Sequence, residues 1–243
     1  MKIYLRLRDC LPHEASPPLR HTVSTSFSRA SSHPPNSVDP ALPDLVTLHV
    51  PPTLPNVSSA PPSFSLPTGG VFVTSTSQST LYHHTASPCV KSALNGLQSC
   101  VLAYGQTGSG KTHTVIGGEK YEDRGLVPRA LSEVFQSYGD GWRVWVSFVE
   151  VYNDEVYDLL DPRRRGRRMA DGGECVPLRI KEDRGVDANV YEVGGEEEAL
   201  QLLFMGAYNR VRGTTGMNDE SSRSHAVFRV TIERLLDGGV HTA

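Results

Sequence analysis

Residues 105–112 read Gly-Gln-Thr-Gly-Ser-Gly-Lys-Thr, and no other stretch narrows the possible folds as far. Three glycines let the backbone turn sharply and bring its N–H groups towards an anion. The spacing Gly-x-x-x-x-Gly-Lys-Thr is that of a phosphate-binding loop, in which Lys111 reaches β/γ-phosphates and the Thr112 hydroxyl ligates Mg²⁺. The apolar run Ser99–Tyr104 before it has strand length. No helix breaker follows until Gly117-Gly118, so a helix can start at Gly110. Strand, glycine loop and helix is the context this spacing requires, and the helix N-terminus adds partial positive charge to an anion site. The bland alternative, a glycine-rich surface turn, leaves that context unexplained.

Composition excludes several classes. The net charge of −3 gives no whole-chain attraction to nucleic acid or to an anionic membrane. No apolar stretch reaches the roughly 18–20 residues of a membrane span. Cys10, Cys89, Cys100 and Cys175 are scattered with no Cys-x-x-Cys spacing, which argues against a zinc site or a disulfide framework and fits a reducing compartment. The first residues hold no secretory apolar core. Residues 1–32 are rich in Arg and Ser, as a transit peptide is, but Ile3–Arg8 alternates like a strand.

Thirteen of the 17 prolines fall within residues 11–70. Such a stretch neither extends a helix nor sits in a central strand. We expect a mobile, disordered Pro/Ser-rich insertion over 11–68, with a short strand at Leu45–Val50 and loop over 51–68. Residues 1–10 then supply a first strand and 69–243 the main folded body. Within it the expected elements are a helical segment from Ser77 towards Gly96 broken near Pro88, a helix at Leu126–Tyr138 and a strand at Trp142–Val151. A short helix at Glu155–Leu160, strands at Val176–Ile180 and Val190–Val193 around a turn at Arg184-Gly185, a helix at Glu196–Asn209 and a strand at Val227–Leu235 follow. Arg163–Arg168 is a basic run in a turn-rich stretch, read as a solvated loop or a contact for an acidic partner. Helices and strands mixed around a phosphate loop predict an α/β three-layer fold.

The second dense polar cluster is Asn218-Asp219-Glu220-Ser221-Ser222-Arg223-Ser224-His225. Its side chains can bond to phosphate, Mg²⁺, water or a carboxylate. It lies between a helix and a strand, where a loop sensing a γ-phosphate would sit.

Together the two clusters resemble the kinesin motor domain. Ala103 through Thr114 match that family's phosphate loop, Ala-Tyr-Gly-Gln-Thr-Gly-Ser-Gly-Lys-Thr-His/Tyr-Thr. Asn218 through His225 match its first switch, Asn-x-x-Ser-Ser-Arg-Ser-His. Gly125–Arg129, Val149–Leu160, Asn209-Arg210 and Met217-Asn218 resemble further family segments in the expected order. Arg6-Leu7-Arg8 is similar to the family's adenine-contacting Arg-x-Arg-Pro, with Asp9 in place of the proline; Arg6 would stack on the base. The family's second switch, Asp-Leu-Ala-Gly-Ser-Glu, has no counterpart in the 243 residues, so the resemblance covers about the first two-thirds of a motor domain.

The resemblance implies a P-loop NTPase fold with a central mixed, mostly parallel sheet, incomplete at the C-terminus. It implies ATP hydrolysis with Mg²⁺ and binding to microtubules, in the cytoplasm and on the cytoskeleton, with no nucleic-acid or membrane partner. Gly105, Gln106, Thr107, Gly108, Ser109, Gly110, Lys111, Thr112, His113 and Arg6 would contact nucleotide. Thr112 and Ser222 would help hold Mg²⁺, while Asn218 and Ser221 would close over the γ-phosphate. Arg223 would pair with the glutamate of the second switch, and the arginine run would face tubulin. The alternative is a nucleotide- or tubulin-binding protein without motor activity. The 243 residues alone are expected to be poorly stable and catalytically weak.

Overall fold

The computed structural model describes residues 1–8, 24–28, 43, 45–49, 63–118, 120–137, 139, 141–165, 168–169, 175–181, 185–212, 224–236 and 239–242. The chain divides into two compact units, Met1–Thr85 and Ala86–Ala243.

In the first unit, β1 (Leu5–Arg6), β2 (Ser24–Ser28), β3 (Leu45–His49), β4 (Ser63–Pro67) and β5 (Val71–Phe72) precede α1 (Gln78–Thr85). β1 pairs in parallel with β5, and β2, β3 and β4 form an antiparallel sheet in that order. The strand expected at Leu45–Val50 is β3. β2 and β4 differ from the loop expected around it. Both alternate serine with larger side chains, a period of two, and the prolines lie outside them except Pro67 at the last position of β4, where a missing N–H is tolerated. Phe72 is fully buried, and Val71, Leu81 and Tyr82 are buried with it. Its ring lies 5.9 Å from those of Tyr4 and His84. α1 is opened by Ser77, whose Oγ accepts the Thr80 N–H at 3.0 Å, an N-cap contact.

The second unit runs α2 (Ser87–Leu94), α3 (Lys111–Val115), α4 (Leu126–Gln136), β6 (Trp142–Tyr152), β7 (Glu155–Asp158), β8 (Arg164–Arg165) and β9 (Arg168–Met169). It continues with β10 (Ile180–Lys181), β11 (Gly185–Val186), β12 (Tyr191–Val193), α5 (Glu196–Arg212), β13 (Ser224–Leu236) and β14 (Gly239–Thr242). The helical segment expected from Ser77 is broken at Ala86, with Pro88 in the first turn of α2, the place a helix tolerates proline. The main sheet has the order β12-β6-β13-β14, with β7 also paired to β6. All its described pairs are antiparallel.

Along β6 the residues Val144, Val146 and Phe148 point to one buried face, as a period of two requires. They pack with Leu131 and Val134 of α4, Ala199 and Leu203 of α5, Val193 of β12 and Ile232 of β13. α5 lies close enough to β6 that a Cβ on Gly206 would collide with the Phe148 ring and sit 3.2 Å from Leu160 Cδ2.

Three expectations are corrected here. Glu155–Asp158 is a strand, not the start of a helix. Asn153 and Asp154 have φ of 51° and 63°, the two left-handed residues of a type I′ hairpin turn, and they fold β7 back onto β6. Residues 99–104 form no strand among the described residues. Without a paired neighbour an extended segment has no ladder to stabilise it, and Val101, Leu102 and Tyr104 stay exposed. Among the described residues Val176–Arg179 carries no strand, although the Leu178 N–H donates to Val156 O at 2.6 Å; Ile180–Lys181 pairs with β11. The turn residue Arg184 lies outside the described residues, as does most of the insertion over 11–68.

Candidate functional site

The phosphate loop is built as its residue types demand. Gly108 and Gly110 stand at φ 78° and 92°, in the left-handed region that disfavours a Cβ. Gly110 is the residue from which α3 departs. The Ser109 N–H donates to Gln106 O at 3.1 Å, closing a turn, and Thr114 N–H donates to Gly110 O at 2.9 Å. Lys111 Nζ folds back across the loop and donates to Gly105 O at 2.7 Å and Gln106 O at 2.8 Å. The ammonium is thus tied back to the first two residues of the loop. Thr112 and His113, next along α3, are exposed. The first N–H groups of a helix have no partner within it.

This donor set suits a polyphosphate and a hard cation. It offers backbone N–H groups, one ammonium whose hydrogen bonds to Gly105 O and Gln106 O go to uncharged carbonyls, and a threonine hydroxyl adjacent to it. A loop that holds its lysine by two main-chain carbonyls has the cation in place before an anion arrives, which lowers the ordering cost of binding.

Arg6 belongs to the first unit. Its Nη1 donates to Gln78 Oε1 at 2.9 Å, and burial holds its guanidinium below its ordinary pKa. Asn218, Ser221, Ser222 and Arg223 lie outside the described residues; Ser224 and His225, which end that cluster, open β13. Of the arginine run, Arg163 is exposed and bonded to Asp161 at 2.9 Å. Arg164–Arg165 pair with Arg168–Met169 as a small hairpin, and residues 166–167 lie outside the described set.

The structure also assembles a polar group that spacing alone does not disclose. Glu150 continues the helix-facing stripe of β6 and is only 2% exposed. Arg210 of α5 brings its Nε to 3.6 Å from Glu150 Oε1, and its Nη2 donates to both Ser224 O at 3.2 Å and Ser224 Oγ at 3.1 Å. One residue earlier, buried Asn209 donates to Leu159 O at 2.9 Å. The available signal was a carboxylate at a position in β6 whose period otherwise calls for an apolar side chain.

Comparison with known proteins follows the same lines. The model of the kinesin motor domain family matches residues 59–238. The chain is 39% identical over 174 residues to the kinesin-like protein KIN-14M of Arabidopsis thaliana, covering 67% of this chain and 23% of that protein. It is 34% identical over 244 residues to the kinesin-like protein KIFC1 of Homo sapiens, covering 96% of this chain and 35% of that protein. A solved structure of a fast kinesin, described for its ATPase mechanism and interactions with microtubules, aligns with all of this chain and 62% of its own at a TM-score of 0.75 and 26% identity. That likeness carries the expected α/β P-loop NTPase fold. The chain spans between about a quarter and a third of the length of these two curated relatives.

Proposed function

The chain belongs to the kinesin motor domain family, and from that premise we propose that its protein hydrolyses ATP with Mg²⁺ and couples the reaction to movement on microtubules. The observation that carries this reading is the Lys111 ammonium, held at 2.7 and 2.8 Å by the carbonyls of Gly105 and Gln106. In this reading the N–H groups of 107–112 and Lys111 hold the β/γ-phosphates, and Gly105, Gln106 and His113 border the nucleotide. Thr112 and Ser222 hold the metal, which when bound neutralises charge on the phosphate oxygens. Asn218 and Ser221 orient the attacking water, and Arg223 is available to a carboxylate. Phosphoryl transfer asks mainly for such positioning and charge stabilisation. Arg6, already half-buried and fixed by Gln78, offers a guanidinium plane to a base.

The test is phosphate release by the full-length protein with and without microtubules at low salt. The proposal expects turnover that microtubules raise at least roughly tenfold; turnover that they leave unchanged contradicts it. A second reading, a nucleotide- or tubulin-binding protein without motor activity, is favoured by the lack of a ladder at residues 99–104 among the described residues. Saturable nucleotide binding with no turnover would support it instead.

A further inference from the structure

We propose that Arg129 is a positioning residue for the phosphate loop: from the start of α4 it holds closed a clasp of backbone on which α3, the helix that carries Lys111 and Thr112, is seated. This rests on the functional reading above for the identity of the ligand, and Arg129 has no role in that reading.

α3 spans only Lys111–Val115, far short of the roughly 12–15 residues at which an isolated helix begins to persist in water. What keeps it folded must therefore come from outside it, and its C-terminal end supplies the contact. Thr112 O accepts the N–H groups of both Ile116 at 2.8 Å and Gly117 at 3.3 Å. Gly117 then bridges to Arg124 in the antiparallel sense. On either side of that bridge the Gly118 N–H donates to Asp123 O at 3.0 Å and the Gly125 N–H donates to Ile116 O at 2.9 Å. Residues 116–118 and 123–125 thus form a backbone clasp. A Cβ at Gly117 would collide with Asp123 O, and one at Gly125 would lie 2.6 Å from the carbonyl carbons of Val115 and Ile116. Glycine at both places permits that approach.

Arg129 fastens the clasp from α4. Its Nε donates to Arg124 O at 2.9 Å and its Nη2 to Glu122 O at 2.8 Å. Both acceptors are uncharged main-chain oxygens. A cation this near the start of a helix also faces the unfavourable end of its dipole, so shape rather than charge accounts for these two bonds. The planar guanidinium presents its N–H groups as a rigid fork, and here one edge of it spans two carbonyls two residues apart in the chain. The line of contacts is continuous. Arg129 holds Arg124 O, Arg124 is the bridge partner of Gly117, and the Gly117 N–H is bonded to Thr112 O, next to Lys111. The Arg124 side chain takes a separate route, lying over the Tyr121 ring and reaching Glu196 of α5 at 3.0 Å. A shift on the order of 1 Å at the seat of α3 would displace the Lys111 ammonium and the Thr112 hydroxyl together, and positioning is what such a site supplies.

The variants are Arg129→Gln, Arg129→Lys and Arg124→Gln in the full-length protein. Each is read by backbone hydrogen exchange over residues 112–118, with β6 as the reference, and by affinity for fluorescent mant-ADP with Mg²⁺ under conditions where urea unfolding shows the variant folded. We expect Arg129→Gln to quicken exchange over 112–118 at least roughly tenfold and to weaken mant-ADP binding at least roughly tenfold. Arg129→Lys keeps the charge without the fork and should fall between wild type and Arg129→Gln in both. Arg124→Gln leaves its main-chain oxygen in place and should stay within about twofold of wild type in both. Unchanged exchange over 112–118 in Arg129→Gln overturns the proposal. Quickened exchange with unchanged mant-ADP affinity also overturns it, since the clasp would then be structural only. Equal losses in Arg124→Gln overturn it too, by moving the effect to the Glu196 contact. If Arg129→Gln fails to fold, the same outcomes in Arg129→Lys decide. Failure of the wild-type protein to bind mant-ADP would instead defeat the functional reading, leaving the exchange experiment to decide whether Arg129 seats α3.

Discussion

At Gly110 the backbone leaves the phosphate loop for α3 at φ 92° and ψ 16°, and the requirement for glycine there is conformational. A Cβ in that region costs about 1–2 kcal/mol, so Gly110→Ala is expected to relax the loop and pull the Lys111 ammonium off its two carbonyls. Titration with a fluorescent nucleotide should show affinity reduced roughly tenfold; unchanged affinity would mean that the loop accepts a Cβ and that its shape is not set at this residue. The loop was legible in the sequence because each residue in it answers to local chemistry: glycine for the turn, lysine for charge, threonine for a hydroxyl. Arg210 and Glu150 were not, because what joins them is a contact between a helix and a strand distant in the chain.

Elements were legible where the period of burial was long and unbroken. α4 and β6 are faced by one packed stripe each, and both stand close to their expected bounds. The β7 strand is not legible in the sequence because its alternation is only four residues long and its decisive signal is the pair Asn153-Asp154, whose left-handed φ values set the hairpin. At Ser99–Tyr104 apolar composition suggested a strand, but pairing makes a strand, and no ladder involves it among the described residues. Packing between α5 and β6 makes a prediction of its own. Gly206→Ala gains helix propensity of about 1 kcal/mol yet drives a methyl group into the Phe148 ring, an overpacking that costs about 1–3 kcal/mol. Net destabilisation in urea unfolding is expected; a more stable variant would contradict the close approach.

The join of β12 to the end of the hairpin adds a pH dependence. The Tyr191 hydroxyl donates to Leu160 O at 3.0 Å. Burial first, and then the charges of Asp158 and Asp161, push its pKa up. A raised folded pKa means that the contribution is complete below the unfolded value of about 10 and is lost as pH rises through the folded one. Unfolding free energy should therefore fall above about pH 10, and Tyr191→Phe, about 1 kcal/mol less stable at neutral pH, should lack this component of the fall. An identical alkaline profile in the variant would remove Tyr191 as its source.

For the whole molecule, a net charge of −3 gives no general attraction to the acidic surface of a microtubule, so the proposed contact must come from local charge. The run 163–168 concentrates five arginines at the β8–β9 hairpin. Neutralising them should weaken co-sedimentation of the full-length protein with microtubules, and the difference from wild type should shrink as salt screens the pairing; equal co-sedimentation at low salt would discard the contact. All of this depends on whether the 105–112 loop grips a nucleotide through its lysine. Equilibrium titration of wild-type and Lys111→Ala full-length protein with a fluorescent ATP analogue and Mg²⁺ tests that directly. One saturable site in the wild type, weakened at least roughly a hundredfold in the variant, is the expected result, and equal affinity in the two proteins would contradict the account.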